Sequence, residues 1–295
     1  MDSALTSNMQ ITRMISSLGE LPSSPKIVTA VMEMTSDPDS DIRHVEKLIS
    51  ADQAMSARLL RLSNSSFYGQ RKTVATLHQA IIIIGFYTLR SLVVAASVHS
   101  MYKNKDDNSV EKKLWEHSLT TALACRKIAQ KLGHHHLEEI FMAGLLHDIG
   151  KLVMNQKMAK NYENLCTKVE NEQLNFIDVE KSEFGFSHCE VGSLLMSKWN
   201  LPSGLSNAVF LHHNPDQDNS RDISDYQLYE IPIEYILQFG NHLAKRTGLG
   251  FNDYKIEDLG ALPLARILKL TDDDYAQMTT ELEAEFEEEL QLFEG

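Results

Sequence analysis

Apolar residues recur at intervals of three and four along almost the whole chain, and that spacing limits the fold more than any other feature. An α-helix turns once every 3.6 residues, so this spacing gathers apolar side chains on one face. Residues 8–18 carry Met9, Ile11, Met14, Ile15 and Leu18 in this pattern, and Gly19 ends it. Ile27, Val28, Val31 and Met32 form the next face. Ile42, Val45, Leu48 and Ile49 follow, with Asp41 placed as an N-cap, and then Met55, Leu59, Leu60 and Leu62. The breaks fall where Pro, Ser and Asp cluster, over residues 21–25 and 37–40. Period-two strand patterns are scarce, so the prediction is an all-α protein. Ile81, Ile82, Ile83 and Ile84 could form a buried strand by propensity. Thr76 and Gln79 stand before them at capping-box spacing, which favours a short buried helix.

The second half repeats the helical pattern over residues 114–132, 137–147, 157–172, 188–199, 205–213 and 231–244. The charged segment 103–113 reads as a solvated connection. The predicted organisation is therefore an N-terminal bundle of short helices over 1–105, packed on a second helical bundle over 106–270. An acidic amphipathic helix completes it over 271–295. That last segment holds ten Asp and Glu and no Lys or Arg. The net charge is −13, so the rest of the chain is close to neutral. Leu282, Phe286, Leu290 and Phe293 share one face of the tail, which either folds back on its own domain or docks in a partner's groove.

No basic stripe with interleaved aromatics occurs, which argues against direct nucleic-acid binding. Cys125, Cys166 and Cys189 are widely spaced and odd in number, as expected of buried or inert thiols in a reducing compartment. The N-terminus lacks a basic and then apolar leader, and no apolar run is long enough to span a bilayer. The expectation is a cytoplasmic protein without membrane contact.

The chemistry concentrates at His147 and Asp148, adjacent at the end of the apolar run Ile140, Phe141, Met142, Ala143, Leu145 and Leu146. A helix apolar on nearly every side is buried, and a carboxylate there is costly unless paired or bound to a metal. Gly150 reads as the helix stop. The pair is either a satisfied polar contact or part of a metal site. His117, His188, His212 and His213 extend it into an order of one His, His-Asp, one His and His-His over four helices. A helical bundle can bring such residues to one centre. Imidazole and carboxylate donors suit Fe, Mn, Zn or a similar divalent ion. His134, His135 and His136 read as a solvated loop cluster, and His44, His78, His99 and His242 as isolated. The turn from Asn64 to Gly69 carries Phe67 and Tyr68, which pack locally or form a recognition loop.

Several of these stretches together resemble the HDOD domain, a relative of the HD and HD-GYP phosphohydrolases. They are Leu114 to Leu119 around His117, Ala143 to Lys151 around the His-Asp pair, and Phe184 to Gly192 around His188. Trp199 to Pro202 and His212 to Pro215 follow in order, and Leu21–Pro22, Leu62 to Gly69 and the stretch from Ala80 to Leu89 with its Gly85 support it from the first half. The resemblance covers roughly residues 20–245. It implies an all-α fold whose second bundle is HD-like, and a bacterial signal-transduction module without catalysis. The alternative is an active metal-dependent phosphohydrolase, a phosphodiesterase or phosphomonoesterase. The implied metal ligands are His117, His147, Asp148, His188, His212 and His213, with Fe, Mn, Zn or Mg as the divalent ion. Lys151 falls on the lysine that contacts phosphate in catalytic relatives, so Asp148 and Lys151 are the catalytic pair if the chain is active. Three positions depart from the catalytic pattern. The late Asp ligand falls on or near Asn241, the loop after His213 lacks Gly-Tyr-Pro, and the glutamate one turn before the first His is Lys113. The implied partners are a signalling protein and a phosphate-containing small ligand.

Overall fold

The computed structural model describes residues 42–50, 53–64, 74–83, 109–199, 201–217, 222–251 and 258–294, with positions 9, 11–14, 16, 31, 34, 85, 89, 93, 94 and 99. All regular structure among the described residues is helical, and no strand occurs there. The chain divides into two compact units. One comprises Glu20–Lys103 with Glu287–Gly295, and the other Met1–Gly19 with Asn104–Phe286.

In the first of these units α1 (Ile42–Ser50) packs on α2 (Gln53–Ser63). Val45, Ile49 and Leu59 are buried, as their spacing requires. Residues 77–83 are helical, which settles the isoleucine run in favour of a helix. The Thr76 half of the expected box forms, and the return bond comes from Ala75 instead of Thr76. Gln79 N donates to Thr76 Oγ1 at 3.2 Å, while Ala75 N donates to Gln79 Oε1 at 3.2 Å. This helix is amphipathic rather than buried all round: Ile81 is in the core and Ile82 is 61% exposed. The turn carrying Phe67 and Tyr68 lies outside the described residues. So does Asp41, the expected N-cap of α1.

The other unit is built on α3 (Val110–Leu132), α4 (Leu137–Leu146) and α5 (Ile149–Glu172). α6 (Phe176–Phe184), α7 (His188–Lys198), α8 (Ser203–Leu211) and α9 (Ile233–Arg246) complete its core. α10 (Pro263–Leu268) follows, and α11 (Asp272–Glu294) belongs to this unit as far as Phe286. α3 begins at Val110 with Ser109 as its cap, so Lys112 and Lys113 belong to the helix and not to a connection. α3 packs against α4 and α9, and α7 against α5 and α8. α4 presses on α3 where a Cβ on Gly144 would lie 2.6 Å from Ala122 Cα, closer than any side chain tolerates. α5 bends at Met158, whose backbone leaves the helical region. Tyr275, Met278, Leu282 and Phe286 of α11 are buried, and Lys127 of α3 pairs with Glu281 and Glu285. No helix among the described residues is long and apolar enough to cross a membrane.

Candidate metal centre

Three local features bring the donor residues together. α4 ends at Leu146 and α5 starts at Ile149, so His147 and Asp148 occupy the corner between them. Asp148 holds the N-cap position of α5, where an Asp side chain ordinarily bonds back to the helix. Here it makes no such bond and its carboxylate faces the histidines. Gly150 is the second residue of α5, which corrects its reading as a helix stop. A Cβ on Gly150 would lie 2.0 Å from His188 O, so glycine lets the start of α5 touch the start of α7. That contact carries His188 to Asp148. His188 is itself fixed by a cap, in which Ser187 N donates to Glu190 Oε2 at 2.7 Å.

Around the Asp148 carboxylate, His147 Nε2 lies 3.3 Å and His117 Nε2 3.7 Å from Oδ2. His188 Nε2 lies 3.3 Å and His212 Nε2 4.0 Å from Oδ1. His213 stacks beside His212 with ring centroids 4.2 Å apart, and its ring is 5.3 Å from that of His188. The donors therefore fall into two groups, one on each oxygen of a shared carboxylate. Lys151 Nζ is 2.9 Å from Oδ2 and 4.0 Å from the centroid of the Phe176 ring. Asn241, on α9, is buried. Lys113 pairs instead with Glu170 at 2.7 Å.

A test of whether these residues suit a metal comes from their unused atoms. Asp148 Oδ1, Nε2 of His147, His188, His212 and His213, and Oδ1 of Asn241 are buried without a hydrogen-bond partner, while Asp148 Oδ2 meets the Lys151 ammonium at 2.9 Å. Buried polar atoms normally have partners. This many orphans, all of metal-ligating type and most facing one carboxylate, fit a divalent ion. Protonation agrees. Burial holds His117 and His212 well below the ordinary histidine range, aided by their neighbour His147, and lowers His147 to about 4 against the pull of Asp148. Burial would raise the Asp148 carboxyl, but His147, Lys151 and His188 outweigh it and hold it well below the usual range. Neutral imidazoles around an ionised carboxylate are the form that a metal ion needs. His188 differs: burial lowers it, yet Cys189 and Glu180 raise it to about 10.

Three of the rings, those of His147, His212 and His188, are oriented from behind. His147 Nδ1 lies 2.7 Å from Gly144 O, and His212 Nδ1 2.6 Å from Val209 O. With those nitrogens engaged by carbonyls, both rings turn Nε2 inward. Cys189 Sγ is near the donors as well, but it sits 3.8 Å from His212 Nδ1, behind the ring. We therefore place it outside the centre, in keeping with its reading as an inert thiol. All three cysteines are buried and free.

Two residues of the site were missed in the sequence. Glu180 Oε2 lies 2.6 Å from His188 Nδ1, and its Oε1 accepts from Tyr162 OH at 2.6 Å. Asn175, which caps α6, and Gly185, which ends it, were the available signals. Of the three loop histidines, His135 and His136 are exposed as expected and His134 needs correction. His134 is buried, with Nε2 3.2 Å from Ile231 O, so it is a structural contact and not solvated.

A helical bundle with a buried His and Asp centre defines an HD-type protein. The HDOD domain model matches residues 21–215, and the chain belongs to the HDOD domain family. It is similar to an HDOD domain protein of unknown function from Geobacter sulfurreducens, at 26% identity. The TM-score is 0.75, over 99% of this chain and 98% of that one. A "putative metal-dependent phosphohydrolase" from Shewanella amazonensis SB2B shares the fold at 16% identity. Its TM-score is 0.64, over 97% of this chain and 100% of that one. An uncharacterized protein of Treponema pallidum (strain Nichols) is 26% identical over 213 residues. That match spans 70% of this chain but only 40% of the relative.

Proposed function

We propose that this chain is a bacterial signalling module that holds a divalent ion at the Asp148 centre and does not turn over a substrate. The observation that carries this reading is the enclosure of the centre. His117, His147, Asp148, His188 and His212 are all at most 3% exposed, and only His213 of the six is half-buried. Lys151, which would meet a substrate phosphate, is itself buried between Asp148 and the Phe176 ring. A bound ion supplies Lewis acidity, able to activate water and to clamp phosphoryl oxygens. His117, His147, Asp148, His188, His212 and His213 would hold it. In this chain those residues close around the ion's place, and Asn241 offers a neutral amide where catalytic relatives have a carboxylate. One fewer anion weakens both affinity and the field on a bound water. The ion would then tie α3, the α4–α5 corner, α7 and the end of α8 into one surface. A signalling protein would read that surface.

A second reading, a metal-dependent phosphohydrolase, draws on the position of Lys151 beside Asp148. The two readings separate in one assay. Protein loaded with Mn2+, Fe2+ or Zn2+ is incubated with cyclic dinucleotides, nucleotides and phosphomonoesters, beside the Asp148→Asn variant. We expect no release of product above that variant. Turnover that the wild type shows and Asp148→Asn lacks would establish the phosphohydrolase instead.

A further inference from the structure

The three anchored rings of the centre are not anchored alike. Gly144 O and Val209 O, behind His147 and His212, are neutral carbonyls. Behind His188 stands a carboxylate, that of Glu180, which is fully buried on α6. Its Oε2 meets the His188 ring at 2.6 Å and also accepts from His188 N at 2.8 Å. Its other oxygen accepts from Tyr162 OH at 2.6 Å. Both oxygens are therefore filled by donors, and beyond them His188 holds Nε2 3.3 Å from Asp148 Oδ1, all four residues lying within one unit.

We propose that Glu180 is a positioning residue of the metal centre, which holds His188 with Nε2 toward Asp148 and supplies through that ring the negative charge that Asn241 withholds. This rests on the reading of the centre as a metal site. Hydrogen-bonded twice by one residue, the carboxylate fixes both the backbone and the ring of His188. A ring that donates to a carboxylate is a stronger electron donor than one that donates to a carbonyl. The charge matters because Asp148 is the one carboxylate among the ligands and Lys151 already offsets it. A divalent ion there needs a further anion, and Glu180 stands one ring away.

The test is the dissociation constant for Zn2+, measured by competition with a chromogenic chelator on full-length protein. Wild type, Glu180→Gln and Tyr162→Phe are compared, with the melting temperature of each metal-free protein taken alongside. Glu180→Gln keeps the shape and removes the charge. We expect its dissociation constant to rise roughly 10- to 100-fold, the range for lost outer partners of metal-bound His. Tyr162→Phe leaves the charge in place and should change it by less than about threefold. If Glu180 merely satisfies buried donors, Glu180→Gln lowers the melting temperature but binds Zn2+ as wild type does, which overturns the proposal. Should that variant not fold, nitrogen-15 NMR of the Zn2+-loaded wild type decides. The His188 ring is then expected to be metal-bound at Nε2 and protonated at Nδ1, with that proton strongly deshielded. Binding through Nδ1 would contradict the assignment. A wild type that binds no Zn2+ defeats the metal reading itself, and this proposal with it.

Discussion

At the scale of single residues, Asp148 and Gly150 carry the most specific expectations. Asp148 gathers four imidazoles and Lys151 within 4.0 Å, so it is at once the proposed ligand and the counter-charge of a buried cation. Asp148→Ala should therefore release the metal and also destabilise the metal-free protein, by roughly 3–5 kcal/mol, because Lys151 is left buried without that anion. Denaturant unfolding checks it. Gly150→Ala places a methyl against the His188 backbone. A loss of roughly 1–3 kcal/mol with displacement of His188 is expected, read as a lower melting temperature together with weaker metal binding. The histidines also make stability depend on pH. His147 and His242 are held to about 4 and about 3 in the fold, chiefly by burial, against an ordinary 6.5. Below pH 6.5 the unfolded chain takes up protons that the folded chain refuses. Their contribution falls as pH drops through that window and levels off below about 3. His188, raised to about 10, acts in the opposite sense: its contribution is complete below pH 6.5 and is lost as pH rises toward 10. The metal-free protein should melt at a lower temperature at pH 5 than at pH 7, and an unchanged or higher value at pH 5 would contradict the neutral-histidine cluster.

At the scale of elements, periodicity was informative wherever one face of a helix is polar. α7, α8, α9 and α11 lie within a few residues of their expected bounds for this reason. The convergence of these side chains was legible too, because His117, the His147–Asp148 pair, His188 and the His212–His213 pair stand at helix ends or on inward faces. What was not legible depends on how separate helices meet. The need for glycine at 150 arises from the backbone of His188, far along the chain, and Glu180 reaches the His188 ring across the turn between α6 and α7, a pairing that no spacing in the sequence announces. α6 itself is nine residues with two buried apolar positions besides Glu180, Phe176 and Val179, too few to make a clear stripe. For α11 the sequence left two destinations open, and the buried Tyr275, Met278, Leu282 and Phe286 place its first half on this chain's own core. Leu282→Ala should cost roughly 2–5 kcal/mol. Truncation after Thr271 should lower the melting temperature by several degrees at protein concentrations where the chain is monomeric.

At the scale of the whole molecule, a centre closed by four stretches of one unit links metal occupancy to the stability of that unit. An ion that binds only the folded state stabilises it by mass action, by about 2.7 kcal/mol at a hundredfold excess over its dissociation constant. Metal availability would thereby set how firmly α3, α5, α7 and α8 hold together, which gives a signalling module a physical input. On the proposed reading the same enclosure would keep substrate from the ion, so binding and turnover are expected to be uncoupled. The most direct measurement is elemental analysis of the purified protein beside Asp148→Asn, after both are loaded with Mn2+, Fe2+ or Zn2+ and freed of excess ion. The account predicts bound divalent metal in stoichiometric amount in the wild type and a near-complete loss in Asp148→Asn. Equal metal content in the two proteins, or none in either, would contradict it.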